Sequence, residues 1–551
     1  MKRIFKYIYA VIIGVAMLAT SCETTELDLT QDPNGLTEAD RDFFLNAIQE
    51  DFARYVHAQG FNAGEVARIH YMFGRNYQNA YTPQGFDAEW QDAYQQMMLD
   101  IREMNALDPD GEFPHHTAIG QVIEAYLITS LVDMFGDIPY SEAFQGSDNF
   151  NPNTDPGASI YDAALALLDQ AIANFEAEAL GEPSNDLFYQ GDYDQWIKLA
   201  NSLKMKIHLQ ERLVDGGAVS AFENIAANEP ILEGYEDDFE VDFGTNDANP
   251  DVRHPLYVAN YTPSGAADYV STWLVGTMMN DVNDPDDDDP RIRYYFYRQT
   301  DEVPVDESLL QCSVETAPAH YQAGNEFYCS LPFGYWTRDH GDDDGIPPDT
   351  QLRTAYGLYP AGGRFDDDSF GIVDRGTGAG GAGVVPILLA STIDFMQAEV
   401  ALLNGDVPGA AAFMESGITK SMEKVVEQFG DKVDTDDAFA PSAGDIDDYV
   451  TVIGDIFTTA PSDDDRWNIL GEQFFISLYG QGLDGYNFYR RTGYPTTVQP
   501  NIEPDPGAFI RSFLYPANFV LRNGSVDQKA SVTEQVFWDN NPASPGFPPA
   551  N

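Results

Sequence analysis

The stretch "LVDMFGDIPYSEAF", residues 131–144, decides how the chain folds. An apolar run reaches Gly136-Asp137, meets Pro139 and turns through Tyr140-Ser141-Glu142. Upstream, Ile119, Val122, Ile123, Tyr126, Leu127, Leu131, Met134 and Phe135 recur at three- and four-residue spacing, which puts them on one side of a helix. Gly136 then supplies a C-terminal cap and Pro139 prevents continuation. Asp133 and Asp137 have the chemistry of catalytic carboxylates, but a solvated or turn-capping role is the expectation for both.

Working outward, the same period returns on both sides. Thr37, with Asp40 as its capping-box acid, precedes a helix whose apolar face is Phe43, Phe44, Ala47, Ile48, Phe52, Tyr55 and Val56. Trp90, Tyr94, Met97, Met98, Ile101, Met104 and Leu107 mark the next. Ser159 and Asp162 open another, carrying Tyr161, Leu165, Leu168, Ile172 and Phe175, and Trp196, Leu199, Leu203 and Ile207 carry one more. Periodicity resumes at 391–404, 408–429 and 467–479. Between 215 and 385, Pro, Gly, Asp and aromatics dominate, as in "NDVNDPDDDDPRIRYYFYRQ" and "SLPFGYWTRDHGDDDGIPPD", and no long helical face can be traced. Antiparallel helices with short links and no strict repeat predict a mainly α fold. The platform is TPR-like and built from both ends of the chain, about 37–213 and 386–523. The middle third, 215–385, forms a loop-rich cap, and irregular chain of that length is expected to carry function.

The first residues are an address. Lys2, Arg3 and Lys6 form a basic region, Ile8 to Leu18 is apolar, and Ala19-Thr20-Ser21-Cys22 closes with small residues, so 1–21 reads as a signal peptide too short to span a membrane. Leu18-Ala19-Thr20-Ser21-Cys22 resembles a bacterial lipobox with its Leu one residue early, which predicts lipidation of Cys22; the alternative is a soluble periplasmic protein. The acidic start Glu23 to Asp28 resembles a surface-export signal, placing the folded part outside the cell. Cys312 and Cys329 remain, an even pair that an oxidising compartment would bridge; two buried free thiols are the alternative. A zinc site would need a second such pair.

Charge and motifs exclude several functions. With 29 Lys plus Arg against 90 Asp plus Glu, the net charge is −61, a field that repels nucleic acid and anionic membrane surfaces. Only seven Lys follow residue 22, and the imbalance fits a marine or high-salt habitat, where screening relieves self-repulsion. H-E-x-x-H, G-x-S-x-G and Walker signatures are missing. Gly378 to Gly383 satisfies G-x-G-x-x-G, but "VVPILL" follows with Pro386 where a helix must start, so it reads as a tight glycine loop. Carboxylate pairs suited to glycoside hydrolysis are expected by chance among 90 acids. The Asp runs 286–289 and 342–344 raise calcium binding, but "DHGDDDG" puts His340 at the first EF-hand position and Gln351 at the twelfth. Solvated loop charge, with no metal or cofactor, is the expectation.

Aromatics in the middle third are more informative. Tyr294, Tyr295, Phe296, Tyr297, Tyr335 and Trp336 sit among Asp, Arg and Asn, as do Tyr77 and Tyr81 between the first two helices. Exposed rings beside hydrogen-bonding side chains suit sugars, whose C–H faces stack while hydroxyls are met at the edge. The competing role is loop anchoring, in which each ring plugs a small satellite core. The candidate ligand-binding residues are Tyr81, Tyr295, Trp336 and Asp339, with Trp273 in reserve; no catalytic residue is assigned.

The lipobox, "LDLTQDPNGLT", "AYLITSLVDMFGDIPYSEAFQG", "GDYDQWIKLANSLKMKIHLQER", "FMQAEVALLNGD" and "FISLYGQGLDGYNFYRRTGYP" resemble, in this order, segments of SusD/RagB-family nutrient-binding outer-membrane lipoproteins, from Cys22 to about Asn523. The resemblance implies one SusD-like domain over 22–551. It makes the GDIPY segment scaffold, likewise Trp196, Asn201, Ser202, Arg490, Arg491, Gly493 and Pro495. "YNFY" stands where the family often has Trp, which preserves aromatic packing. It further implies a lid over a TonB-dependent SusC-like barrel that captures oligosaccharide or peptide and breaks no bond. Family ligand contacts lie in variable loops and carry over to no residue here. An exported glycoside hydrolase and a passive structural surface protein are the rival readings.

Overall fold

The structure, a computed structural model, describes residues 40–279, 288–344, 349–433, 435–436 and 438–542. The segment 1–21, Cys22, the LDLTQDPNGLT stretch with Thr37, and Asp286 and Asp287 lie outside these residues.

The protein is mainly helical, as the periodicity predicts. In the first half, α1 (Arg41–Val66) packs on α2 (Met98–Ala106) and α3 (Pro114–Phe135). Then α3 pairs with α4 (Gly157–Phe175), α4 with α5 (Tyr193–Glu211), and α5 with α6 (Ala218–Asn228). In the second half, α7 (Ala390–Leu403) pairs with α8 (Val407–Met422) and α8 with α9 (Ala443–Thr459). Helix α10 (Asp463–Ser477) packs on both α7 and α8, and α11 (Leu483–Thr492) returns to α1. Local chemistry sets the starts: Asp192 accepts from the Asp194 N–H at 3.1 Å to open α5, and Ser442 with Asp445 forms a capping box before α9.

Helix α3 departs from the one-sided pattern. Apart from Thr117, all its residues are buried, because α1, α2, α4 and α5 surround it. Its end is built as read: Gly136 has a φ of 82° and donates its N–H to the Val132 carbonyl at 2.8 Å, a conformation suited to glycine. Asp133, however, is neither solvated nor a turn cap. Buried in the core, it accepts hydrogen bonds from Trp538 Nε1 (2.9 Å), Asn487 Nδ2 (2.7 Å) and the Tyr161 hydroxyl, while its carbonyl accepts from Arg490 Nη2 at 2.9 Å. A buried carboxylate with this many donors ties four segments together. Asp137 does cap, accepting the Gly157 N–H at 2.9 Å at the start of α4.

The other family-like motifs are scaffold too. Glu399, fully buried in "FMQAEV", takes a two-point pair from Arg491 (2.8 and 2.6 Å) and a third bond from Arg212 at 3.0 Å. Trp196 Nε1 donates to Asp186 at 2.8 Å, Asn201 Nδ2 to the Pro230 carbonyl at 3.0 Å, and Ser202 Oγ accepts from Leu232 N at 3.0 Å.

The cap is pinned where it leaves and rejoins the platform. Strand β1 (Phe239–Asp242) pairs antiparallel with β2 (Val384–Leu388), setting Phe239 opposite Leu388 and Asp242 opposite Val384. Between them lie short helices and two further two-residue strand pairs, 296–297 with 355–356 and 330–331 with 335–336. Cys312 and Cys329 are joined by a disulfide, with Cα atoms 5.7 Å apart. Two boundaries and one helix differ from what the sequence predicts. Helix α6 extends the platform to Asn228, its Phe222 and Ile225 facing inward. Helix α9 escapes the periodicity because its inward residues Tyr449, Ile453 and Phe457 stand among acids. The core continues past residue 523 to Val532, Val536 and Trp538.

Candidate functional site

The expected ligand residues do not share an exposed face. Tyr295 is fully buried, stacked on Tyr479 at 4.5 Å, with its hydroxyl donating to the Ile476 carbonyl at 3.0 Å. Trp336 is closed off in a small core with Tyr71, Tyr269, Leu310 and the disulfide, its Nε1 donating to the Glu302 carbonyl at 2.7 Å. Trp273 meets Phe475 edge-on at 5.7 Å. Asp339 is buried, accepting from Cys329 N and Gln499 Nε2 at 2.8 Å each; burial pushes its carboxyl up to about 7. Tyr81 is half-buried and donates to Glu65 at 2.7 Å. The exposure on which the expectation rests is therefore missing at Trp273, Tyr295, Trp336 and Asp339. Trp273 and Tyr295 tie the cap to the platform at and just after α10, while Trp336 and Asp339 hold the cap's own loops, because a cap with little regular structure must be fixed by its largest side chains.

The Asp run at 342–344 has a cation of its own. Arg75 lies 3.6 Å from Asp342 and 2.5 Å from Asp343 and also pairs with Asp344. Among the described residues, no group of three or more His, Cys, Asp or Glu is placed to hold a metal.

The aromatic surface that the structure does present lies elsewhere. A groove of about 290 Å³ runs between the helix leading into α2, the loop after α3, and the short helix Ala517–Arg522. Trp90 and Tyr94, four residues apart, share one face of the first wall, where a π-turn at Asp92–Met97 interrupts the α-helix. Their ring centroids are 4.8 Å apart at 29°. Phe519 continues the row beyond Trp90 at 4.6 Å, and Phe144 beyond Tyr94 at 6.1 Å. All four are half-buried, and Phe150 on the rim is 73% exposed.

Each ring is held. The Tyr94 hydroxyl donates to the Pro139 carbonyl at 2.7 Å, and burial keeps it protonated by pushing its pKa well up. The Arg102 guanidinium covers Phe144 at 4.0 Å and is fixed by Glu124 at 2.9 Å, which also accepts from the Tyr140 hydroxyl. Asp87 Oδ1 accepts from Asn518 N at 2.7 Å, and Asn523 Nδ2 donates to the Pro152 carbonyl at 2.8 Å, joining the walls. On the same walls Gln91, Gln95 and Arg522 are exposed, and their side chains form no hydrogen bond among the described residues. Preformed rings with free amide and guanidinium groups between them can stack a flat apolar face and bond its polar edge.

Part of this site belongs to the opening stretch, which supplies Pro139, Ala143 and Phe144. By period alone, Trp90 and Tyr94 belong to a core face. The sequence does carry a signal of the groove: Trp90-Gln91 and Tyr94-Gln95 repeat an aromatic–amide pair at one helical turn.

Fold and groove together define a helical scaffold protein with a preformed aromatic groove. Residues 33–308 match the SusD-like family, described as starch-binding and associating with the outer membrane, and the chain belongs to that family. Among solved structures, a SusD/RagB family protein from Bacteroides thetaiotaomicron superposes with a TM-score of 0.64 at 16% identity, covering 92% of this chain and 100% of that one. A chitin-binding SusD homologue from Flavobacterium johnsoniae gives 0.62 at 17% identity, covering 91% and 99%. At these identities the likeness concerns the fold alone. No curated protein sequence matches the chain.

Proposed function

We propose that this chain is a surface-exposed, non-enzymatic outer-membrane lipoprotein that captures an oligosaccharide in the aromatic groove and hands it to a TonB-dependent SusC-like barrel. The row of rings from Phe519 through Trp90 and Tyr94 to Phe144 carries the reading, since stacked faces flanked by free amides suit sugar rings better than peptide. The family description supports carbohydrate as ligand and the outer membrane as place. Cys22 would hold the lipid. Hydrolysis is disfavoured at this groove: among the described residues its walls carry one carboxylate, Asp87, already engaged by Asn518, whereas glycosidases need two across the scissile bond.

Calorimetry with malto- and chito-oligosaccharides tests the groove. Trp90→Ala weakens binding by about 1–3 kcal/mol if the ring stacks on sugar; unchanged affinity removes the groove from the reading. Mild-detergent extraction of a tagged chain from outer membranes tests the partner, which is expected as a stoichiometric barrel in the pull-down. Appearance of new reducing ends would favour the hydrolase.

A further inference from the structure

A second cavity, of about 530 Å³, lies between the cap and the approach to α9, and it shares no lining residue with the aromatic groove. Its floor is a fixed charged clamp. Arg298 lies over the Tyr335 ring at 5.1 Å, donates to Asp366 at 2.7 Å and to the Phe333 carbonyl at 2.9 Å, and pairs with Asp368. Arg293 donates to Asp368 at 2.9 Å and lies under the Phe439 ring at 4.9 Å. Asp368 and Arg293 remain partly open, their side chains 34% and 23% exposed.

Two observations point to an occupant. Tyr335 is 3% exposed as a residue and lines the cavity, and its hydroxyl, open at the cavity wall, forms no hydrogen bond among the described residues. A hydroxyl that faces a cavity without a protein partner can both donate to and accept from a ligand there. Phe333 and Asp368 also hold left-handed backbone, with φ of 62° and 58°. An aromatic residue keeps that conformation only where its surroundings impose it, whereas Asp adopts it readily, so Phe333 is the strained position, and such positions cluster at ligand clamps.

The chemistry narrows the ligand. A guanidinium that donates, a carboxylate that accepts and a hydroxyl that does both match the adjacent hydroxyls of a sugar, and Phe333 and Phe439 offer ring faces. Asp288, Asp289, Asp368 and Asp445 outnumber Arg293 and Arg298 around the cavity, which disfavours anionic sugars and peptide carboxylates. We propose that this cavity is a second saccharide-binding site, taking a neutral sugar residue independently of the groove. The proposal rests on the carbohydrate reading above but not on the groove being its site.

Calorimetry on the full chain with maltohexaose and chitohexaose separates the two. Trp90→Ala is expected to retain a binding event with at least one probe, and adding Tyr335→Phe lowers that residual affinity by about three- to tenfold, the worth of one hydrogen bond. Because the exchange removes only an unpartnered hydroxyl, the Tm of Tyr335→Phe should not fall; Asp368→Asn provides a second variant with the same expected loss. A residual event that neither Tyr335→Phe nor Asp368→Asn alters overturns the second site. If Trp90→Ala abolishes all binding, the second site falls and the groove stands. If the unaltered chain binds neither probe, both readings fall.

Discussion

Single residues here do different work from what their types suggest. Tyr81 illustrates this: flanked by polar residues, it is held by Glu65 and meets Phe513 edge-on at 5.0 Å. Burial pushes the Glu65 carboxyl up to about 8, and the nearby Asp268 charge adds to the shift. A raised carboxyl means that the folded state binds the proton more tightly than the unfolded chain does. Its contribution to stability is present below the ordinary value of 4.5 and is lost as pH rises through about 8. Glu65→Gln keeps an oxygen for the Tyr81 hydroxyl but cannot ionise. Its Tm relative to the unaltered chain should therefore climb between pH 4.5 and 8 and level off above; parallel pH–Tm profiles would show that Glu65 is solvated. Asp133 teaches the same lesson in reverse, since nothing near it in the sequence announces Trp538 or Asn487 as its donors.

At the scale of elements, periodicity identifies structure where a face repeats over several turns and misses it where it does not. Helices α3, α4, α5 and α7 are legible from period alone, and so is the stop at Gly136. Helix α9 is hidden by its acids, and the cap by the shortness of its strands and helices. The disulfide compensates for that shortness. Cys312 and Cys329, 17 residues apart, close a loop that regular structure does not, and their bridge leads into the pair of strands bearing Trp336. Replacing both with Ser should cost about 3 kcal/mol by the loop-entropy relation, read as a lower denaturant midpoint. An unchanged midpoint would mean that the cap's rings alone hold it. The groove is half legible: its walls lie on recognisable segments, but Phe144 and Phe519 are 375 positions apart in the chain and only folding aligns them.

For the whole molecule, charge matters most. A net charge of −61 opposes compaction, and many of the 29 Lys and Arg are spent inside, as in Arg491 and Arg212 on Glu399 or Arg291 on Asp289 at 2.6 Å. The surplus acids face solvent, where salt screens them. The Tm should accordingly rise from low salt to molar NaCl; a flat or falling curve would remove self-repulsion as a limit on stability. What the sequence determined by itself was class and family: helical period, caps and ordered motifs are local, and each survives without knowledge of its neighbours. Which aromatics are exposed was decided only by tertiary structure. Burial is a property of the other side of the contact, and the rings that looked free in the cap were needed to fill it, while Trp90 and Tyr94, with every mark of a core face, were left half open by the loop after α3.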